Sequence, residues 1–226
     1  MKQLIIRLTI VMFTASLLAA CAKDVTFNNT DQQVGISKVV YFPSVKIKGD
    51  RLIIITQGAA YTDPGVDAKL NGQNAAVTTT GAVSANTPGV YNITYSANSP
   101  DGYSASDWRT VVVISNSTAV TNNDFSGTYA RIGFANATWT KTARGVYALD
   151  NPGGAGVGVG FVVTLVNYDA NKIAIPKQQA YDPSTDGLNT ISSNSEIYRA
   201  TATPITVDYA LTAGGYGTQV RTFVKQ

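Results

Sequence analysis

Beyond residue 20, no long stretch of this chain spaces its apolar residues at i, i+3, i+4 and i+7, the stripe by which a helix buries one face. The side chains point the same way. Residues 21–226 contain 25 Thr against 6 Leu, with abundant Val and Tyr, and β-branched and aromatic groups suit a pleated, half-buried surface better than a helix. The expected fold class is therefore all-β. Those 206 residues are enough for two domains of about 100 residues, each able to bury its own core.

In the first half, residues 39–45 read as a strand in which Pro43, lacking an amide proton, marks a sheet edge or a switch between sheets. Residues 52–56, Leu-Ile-Ile-Ile-Thr, form a short apolar run suited to a buried strand. The run Tyr61-Thr62-Asp63-Pro64-Gly65-Val66-Asp67-Ala68 predicts a tight turn: Pro64 presets φ, Gly65 accepts positive φ, and the Asp63 carboxylate can receive turn amides. Residues 75–80 and 108–114 are further strand candidates. Between them residues 89–97 alternate, with Tyr91, Ile93, Tyr95 and Ala97 on one face. Gly89-x-Tyr91-x-Ile93 has the form of a tyrosine corner, with Ile93 where an antibody domain carries its second cysteine, so this core is expected to hold by packing alone.

Tyr-Thr-Asp-Pro-Gly-Val-Asp-Ala at 61–68, Pro-Gly-Val-Tyr-Asn-Ile-Thr-Tyr-Ser-Ala at 88–97 and Arg-Thr-Val-Val-Val at 109–113 resemble, in order and spacing, the bacterial Ig-like domain of pesticidal crystal proteins and Bacteroidetes-type surface lipoproteins. The resemblance covers roughly residues 38–115 and implies a seven-stranded sandwich. The organisation expected is an Ig-like β-sandwich over residues 37–115, a polar linker over 116–123 and a second antiparallel β domain, sandwich or barrel-like, over 124–226. Strand candidates in that last part are 138–142, 145–149, 157–168, 172–175, 196–201, 205–211 and 219–224, separated by turn signals such as Asp182-Pro183 and Gly214-Gly215. Its Ser126-Gly127-Thr128-Tyr129 opening and the cassette Arg144-Gly145-Val146-Tyr147-Ala148-Leu149-Asp150 resemble the uncharacterised carboxy-terminal domain paired with this module in Bacteroidetes lipoproteins. That resemblance brings no activity with it.

Residues 1–20 read as an export signal. Lys2 and Arg7 supply its positive flank, and the apolar residues 8–17 fall short of the ~20 needed to span a bilayer. Leu17-Leu18-Ala19-Ala20-Cys21 resembles the lipobox of bacterial lipoproteins, which implies cleavage before Cys21 and diacylation of its thiol. The alternative is an ordinary signal cleaved after Ala20, leaving a free thiol. Two acyl chains anchor stably where one is marginal. Ala22-Lys23-Asp24 resembles the sorting pattern of outer-membrane lipoproteins and, in part, the surface-export signal of Bacteroidetes. Residues 21–36 are then a tether, and the expected location is the outer membrane, lipid-anchored, facing the cell exterior.

Composition excludes much chemistry. Lys2 and Arg7 are two of 17 basic residues, so the cleaved chain sets 15 basic against 14 acidic groups and carries +1. Without a basic run there is no electrostatic case for nucleic acid. Histidine is absent and the single cysteine is committed to lipid, which removes the usual ligands of zinc and most transition metals and the base of Ser-His-Asp and Cys-His catalysis. No cofactor is expected. The nearest carboxylate pairs for glycoside hydrolysis, Asp63 with Asp67 and Asp182 with Asp186, sit in turn-forming sequences where Asp has a structural task.

Three candidate binding features remain. The run 153–160 is glycine-rich, but Phe161-Val162-Val163 follows where a nucleotide-binding fingerprint needs a helix. If extended, Gly156, Gly158 and Gly160 form a bare strip open to a backbone, an aromatic ring or a sugar. Asp182, Ser184 and Asp186 alternate as calcium ligands do, although Ser193 stands where an EF-hand needs its bidentate Glu; two turns account better for the pattern. Trp139, between Thr138 and Thr140, is a candidate stacking platform, with core packing as the competing reading. The expected function is a non-catalytic surface lipoprotein, an accessory in glycan binding or uptake with the Ig-like domain as spacer. Its partners would be the membrane, through the anchor, and a glycan or a membrane protein. A structural or adhesive module, or a small glycosidase, are the alternatives.

Overall fold

The computed structural model describes residues 33–34 and 37–226. The export signal, Cys21 and most of the tether lie outside them. The chain divides between Tyr41 and Phe42 into two units. In the first, β1 (Gln33–Val34) pairs antiparallel with β2 (Ser37–Lys38).

Residues 42–226 open with seven strands: β3 (Ser44–Ile47), β4 (Leu52–Thr56), β5 (Val66–Leu70), β6 (Gln73–Asn74), β7 (Thr78–Thr80), β8 (Gly89–Asn98) and β9 (Ser104–Ile114). One sheet has the order β3-β5-β6 and the other β4-β9-β8-β7, with β4 parallel to β9. This is the expected seven-stranded sandwich. Its core gathers Ile93, Tyr95 and Val111 with Val45, Ile47, Ile53, Ile55 and Tyr91. The tyrosine corner is present: Tyr91 Oη donates to Thr87 O at 2.7 Å. The Asp63 carboxylate accepts the Gly65 amide at 2.8 Å, as the turn chemistry requires. Several bounds differ from expectation: the strand expected over 75–80 spans only Thr78–Thr80, and the one expected over 108–114 begins at Ser104. The first strand begins after Pro43 rather than at residue 39, and the turn ends at Gly65, releasing Val66 onward into β5.

The second half contains β10 (Gly127–Ala130), β11 (Ala137–Ala143), β12 (Val146–Asp150), β13 (Val162–Asp169), β14 (Lys172–Ala174), β15 (Gln178–Asp182), β16 (Gly187–Arg199), β17 (Thr206–Thr212) and β18 (Val220–Lys225). They form one antiparallel sheet in the order β14-β13-β12-β11-β10-β18-β17-β16-β15. The sheet curls until its two ends meet, and side chains close the seam. The Gln178 amide donates to Thr164 O at 2.7 Å and accepts from Thr164 N at 2.8 Å, standing in for a strand edge. Ser193 exchanges bonds with Ile175 at 2.7 and 2.9 Å. Closure thus satisfies edge groups that would otherwise invite aggregation. The barrel is packed rather than hollow: Tyr129, Trp139, Tyr147, Phe161, Tyr209 and Phe223 fill it.

The stretch expected as a linker is a short helix, α1 (Thr118–Asn122), and does not hold the halves apart. Ser117 Oγ caps it by accepting from Val120 N, and Val120 is fully buried. Val120 packs with Val112 and Ile114 of β9, Val166 of β13 and Ala174 of β14, flanked by Leu52, Ile54, Val90 and Val146. Hence β4 and the last four residues of β9 are covered on both faces, which is why residues 52–55 and 111–114 are continuous apolar runs instead of alternations. Polar contacts fix the register of the two halves. Ser115 N donates to Tyr168 O at 2.8 Å, Arg144 Nη1 to Ser115 O at 2.6 Å and Thr110 Oγ1 to Lys177 O at 2.8 Å. Gly145, at φ 68°, lies so close that a Cβ there would stand 2.6 Å from Asn167 O and about 3 Å from the side chains of Val120 and Ile114.

Candidate binding site at the barrel mouth

β12 runs from Val146, packed on the Ig-like half, to Asp150, and β13 returns from Val162 to Asp169 beside that half. The connection between them therefore lies at the opposite end of the barrel. Four loops converge there, 131–136, 151–161, 183–186 and 213–219, and enclose a cavity of about 260 Å³ lined by Arg131, Ser184, Thr185, Tyr216 and Arg221 with glycines from two of the loops.

Alternation along β18 places Arg221 and Phe223 on the inward face. Arg221 sits in register with Tyr209 and is only 6% exposed. Its Nη1 donates to Gln219 O at 3.0 Å and its Nη2 to Tyr216 O, while Nε has no partner. Arg131 Nη1 donates to Gly153 O at 2.9 Å, and its guanidinium lies 3.8 Å from the centre of the Phe134 ring. Among the described residues neither arginine has a carboxylate partner. Burial, and then the charge of Arg131, lowers the pKa of Arg221 from its ordinary value, yet a guanidinium stays charged at neutral pH.

The glycine-rich loop shapes the cavity. A Cβ on Gly153 would stand 2.7 Å from the Tyr216 ring, so glycine is what lets that ring lie against the loop. Tyr209 Oη donates to Pro152 O at 2.8 Å and Gly160 N to Asp150 Oδ1 at 2.7 Å, fastening the loop at both ends. Asn151 Oδ1 is buried without a partner, and the buried Tyr216 hydroxyl lies near Ser184 without a hydrogen bond of good geometry. Burial, and then the Asp182 charge, raises the pKa of the Tyr216 phenol.

The residues singled out by sequence fall differently. Gly156, Gly158 and Gly160 do not form an extended strip. Residues 156–158 make a 3-10 turn, with Gly158 N bonded to Ala155 O at 2.9 Å, and Gly160 takes φ 88°, which breaks any shared face. The aromatic approach expected of them occurs at Gly153. Trp139 offers no stacking platform: it is 1% exposed on the inward face of β11 and stacks on Tyr129 at 4.4 Å. The flanking Thr138 and Thr140 suggested a polar environment, but in a strand neighbours occupy the opposite face.

The calcium reading fails on donor use. Asp182 is buried, with Oδ1 accepting from Ser184 N at 3.0 Å and Ser184 Oγ at 2.6 Å, and Oδ2 accepting from Asn189 at 3.0 Å. Burial alone would raise its pKa; these bonds outweigh that and lower it. Asp186 is spent on the Tyr181 hydroxyl at 2.6 Å. Ser184 and Asp186 therefore do not join Asp182 in a ligand set, and no acidic cluster fit for a metal occurs among the described residues. Of the other carboxylate pair, Asp63 is bound by Arg109 and Tyr95 while Asp67 pairs with Lys69 at 3.6 Å. Sequence reasoning missed Arg131, Tyr216 and Arg221, which form no motif. The one available signal was an arginine two residues before Phe223 in a strand, and hence on the core face.

Residues 45–113 match the family described as bacterial surface protein, Ig-like domain. The match lies within the seven-stranded sandwich of the first half, which is thus a surface-type Ig-like domain. No curated protein matches the chain. Among solved structures it is similar to the crystal structure of the lipoprotein BT2262 from Bacteroides thetaiotaomicron, at 23% identity, covering 82% of this chain and all of that one, with a TM-score of 0.36.

Proposed function

We infer that this is a non-catalytic lipoprotein, anchored in the outer membrane through Cys21 and facing the exterior, which captures ligands at the barrel mouth as an accessory in glycan binding or uptake. The Ig-like sandwich serves as its spacer. The observation carrying this reading is the cavity built from four loops at the barrel end opposite the Ig-like half, lined by hydroxyls, a tyrosine ring and two guanidiniums. Such groups suit polyhydroxylated ligands, and the engaged aspartates argue against hydrolysis. A glycan array probed with residues 22–226, followed by calorimetry on any hit, tests it; absence of binding across the array refutes it. Exposed Ile132, Phe134, Val157 and Val159 on the same loops favour a second reading, an adhesive surface for a membrane protein, for which pull-down from outer membranes should depend on those side chains.

A further inference from the structure

Resting on the capture reading above, we propose that the barrel mouth recognises a carboxylate, so that the captured saccharide is an acidic one bearing a uronate. Arg221 is the central observation. It is a nearly buried cation on the inward face of a barrel strand, with no carboxylate among the described residues to balance it. A buried charge is costly unless paired, and two loop carbonyls supply dipoles without a counter-charge. Arg131 lines the same cavity and adds a second positive charge close enough to lower the pKa of the first. Two guanidiniums lining one cavity repel each other; an oxyanion bound there reverses the sign of that interaction and can take paired N–H bonds from a guanidinium fork.

The surrounding groups narrow the class. Arg221 Nε is an unused donor, the Tyr216 hydroxyl can donate or accept, and the Thr185 hydroxyl lines the same wall. A carboxylate on a ring carrying hydroxyls can engage both the cations and the hydroxyl-bearing wall, whereas a bare inorganic anion uses only the cations. At about 260 Å³ the cavity lies just below the ~300–1,000 Å³ of drug-sized sites, which suits one sugar ring rather than an extended chain. The exposed valines of the 151–161 loop stand beside it, at 72% for Val157, and leave room for the rest of a saccharide outside.

The test is titration of the full chain, in a neutral detergent, with sodium glucuronate, with glucose as the neutral counterpart and with sodium sulfate. Glucuronate is expected to bind saturably and raise the melting temperature, glucose to do neither, and sulfate to bind at least tenfold more weakly. Arg221→Gln should abolish the glucuronate response. Should that variant not fold, Arg131→Gln, which is part-exposed, should weaken glucuronate at least tenfold while the unliganded protein still unfolds in a cooperative transition. An Arg131→Gln protein that binds glucuronate like the parent overturns the proposal, as does binding to phosphatidylglycerol vesicles in place of glucuronate. Neutral glycans bound on an array, indifferent to both substitutions, would overturn the acidic specificity and leave glycan capture standing. Glucuronate bound by the free cavity with no glycan retained on the array would overturn glycan capture and leave the carboxylate site standing.

Discussion

Asp63→Asn should be among the most damaging single changes in the Ig-like half, although it removes only a charge. The Arg109 side chain is fully buried and reaches Asp63, Lys48 O, Asp50 O at 3.0 Å and the Tyr95 hydroxyl at 3.3 Å. Breaking a buried ion pair from one side costs about 3–5 kcal/mol because the remaining charge is uncompensated. The Asp63 side chain is 28% exposed, which places the expected loss near the lower end, about 3 kcal/mol. For a unit of this size each kcal/mol shifts the melting temperature by about 2–4 °C, so a drop of about 6–12 °C is expected. Thermal unfolding of residues 42–226 by circular dichroism reads it. Tyr95→Phe, which loses a single hydroxyl, is the control at about 1 kcal/mol. In Asp63→Asn combined with Arg109→Met the losses should be less than additive, since the uncompensated charge is gone. A shift below about 2 °C for Asp63→Asn, or strict additivity in the double variant, would refute the reasoning.

Gly145→Ala should destabilise by about 2 kcal/mol or more through its positive φ and the clash with Asn167 O, and calorimetry should show a broadened or split transition as the two halves uncouple. Tyr91→Phe should cost about 1 kcal/mol by removing the bond to Thr87 O, read by urea unfolding. Asp107 supplies a pH dependence: burial raises its pKa, but bonds from Arg51, Trp108 N and Ile47 N outweigh this and hold it below the usual carboxylate value. Its contribution is therefore complete above the unfolded value near ~3.9 and lost as pH falls through the lower folded value. Asp107→Asn should flatten the acid limb of stability against pH. Cys21→Ala should shift the protein from the membrane to the soluble fraction and remove the acyl mass from the amino-terminal peptide.

The Ig-like half was largely legible because its signals are local. Tyr91, Pro64 and Gly65 act within a few residues of themselves, as does Asp63 in its bond to Gly65 N though not in its pairing with Arg109, and the alternation through Tyr91, Ile93 and Tyr95 records a sheet with one face on its own core. The barrel was less so. β15 and the first half of β16 carry polar residues because they form the seam, where Gln178 and Ser193 do work usually left to backbone, so no apolar period announces them. The mouth was illegible for another reason. Arg131, Tyr216 and Arg221 come from three separate loops or strands, and only the curling of the sheet brings them together. Trp139 misled because threonine neighbours were read as an environment, when in a strand they describe the other face.

The cassette at 144–150 shows how the two halves became one body. Arg144 bonds Ser115 O and reaches Thr56 Oγ1 at 3.4 Å, Gly145 makes room for Ile114 and Val120, and Val146 packs on the shared cluster. From there Tyr147 and Leu149 turn into the barrel core and Asp150 fastens the mouth loop through Gly160 N. One strand thus joins the interface at its first residue to the candidate site at its last. On the other side β9 serves two cores, Val111 facing the sandwich and Val112 with Ile114 facing the barrel. Bending the chain at 115–123 would expose Val112, Ile114 and Val120 together, at about 1.5–3 kcal/mol for each side chain. That cost exceeds what thermal motion supplies, so the mouth is held at a fixed distance and orientation from the Ig-like half. On the capture reading proposed above, the Ig-like half would act as a strut, and a ligand held at the mouth would be presented at a defined height above the sandwich rather than swept through a volume on a flexible hinge.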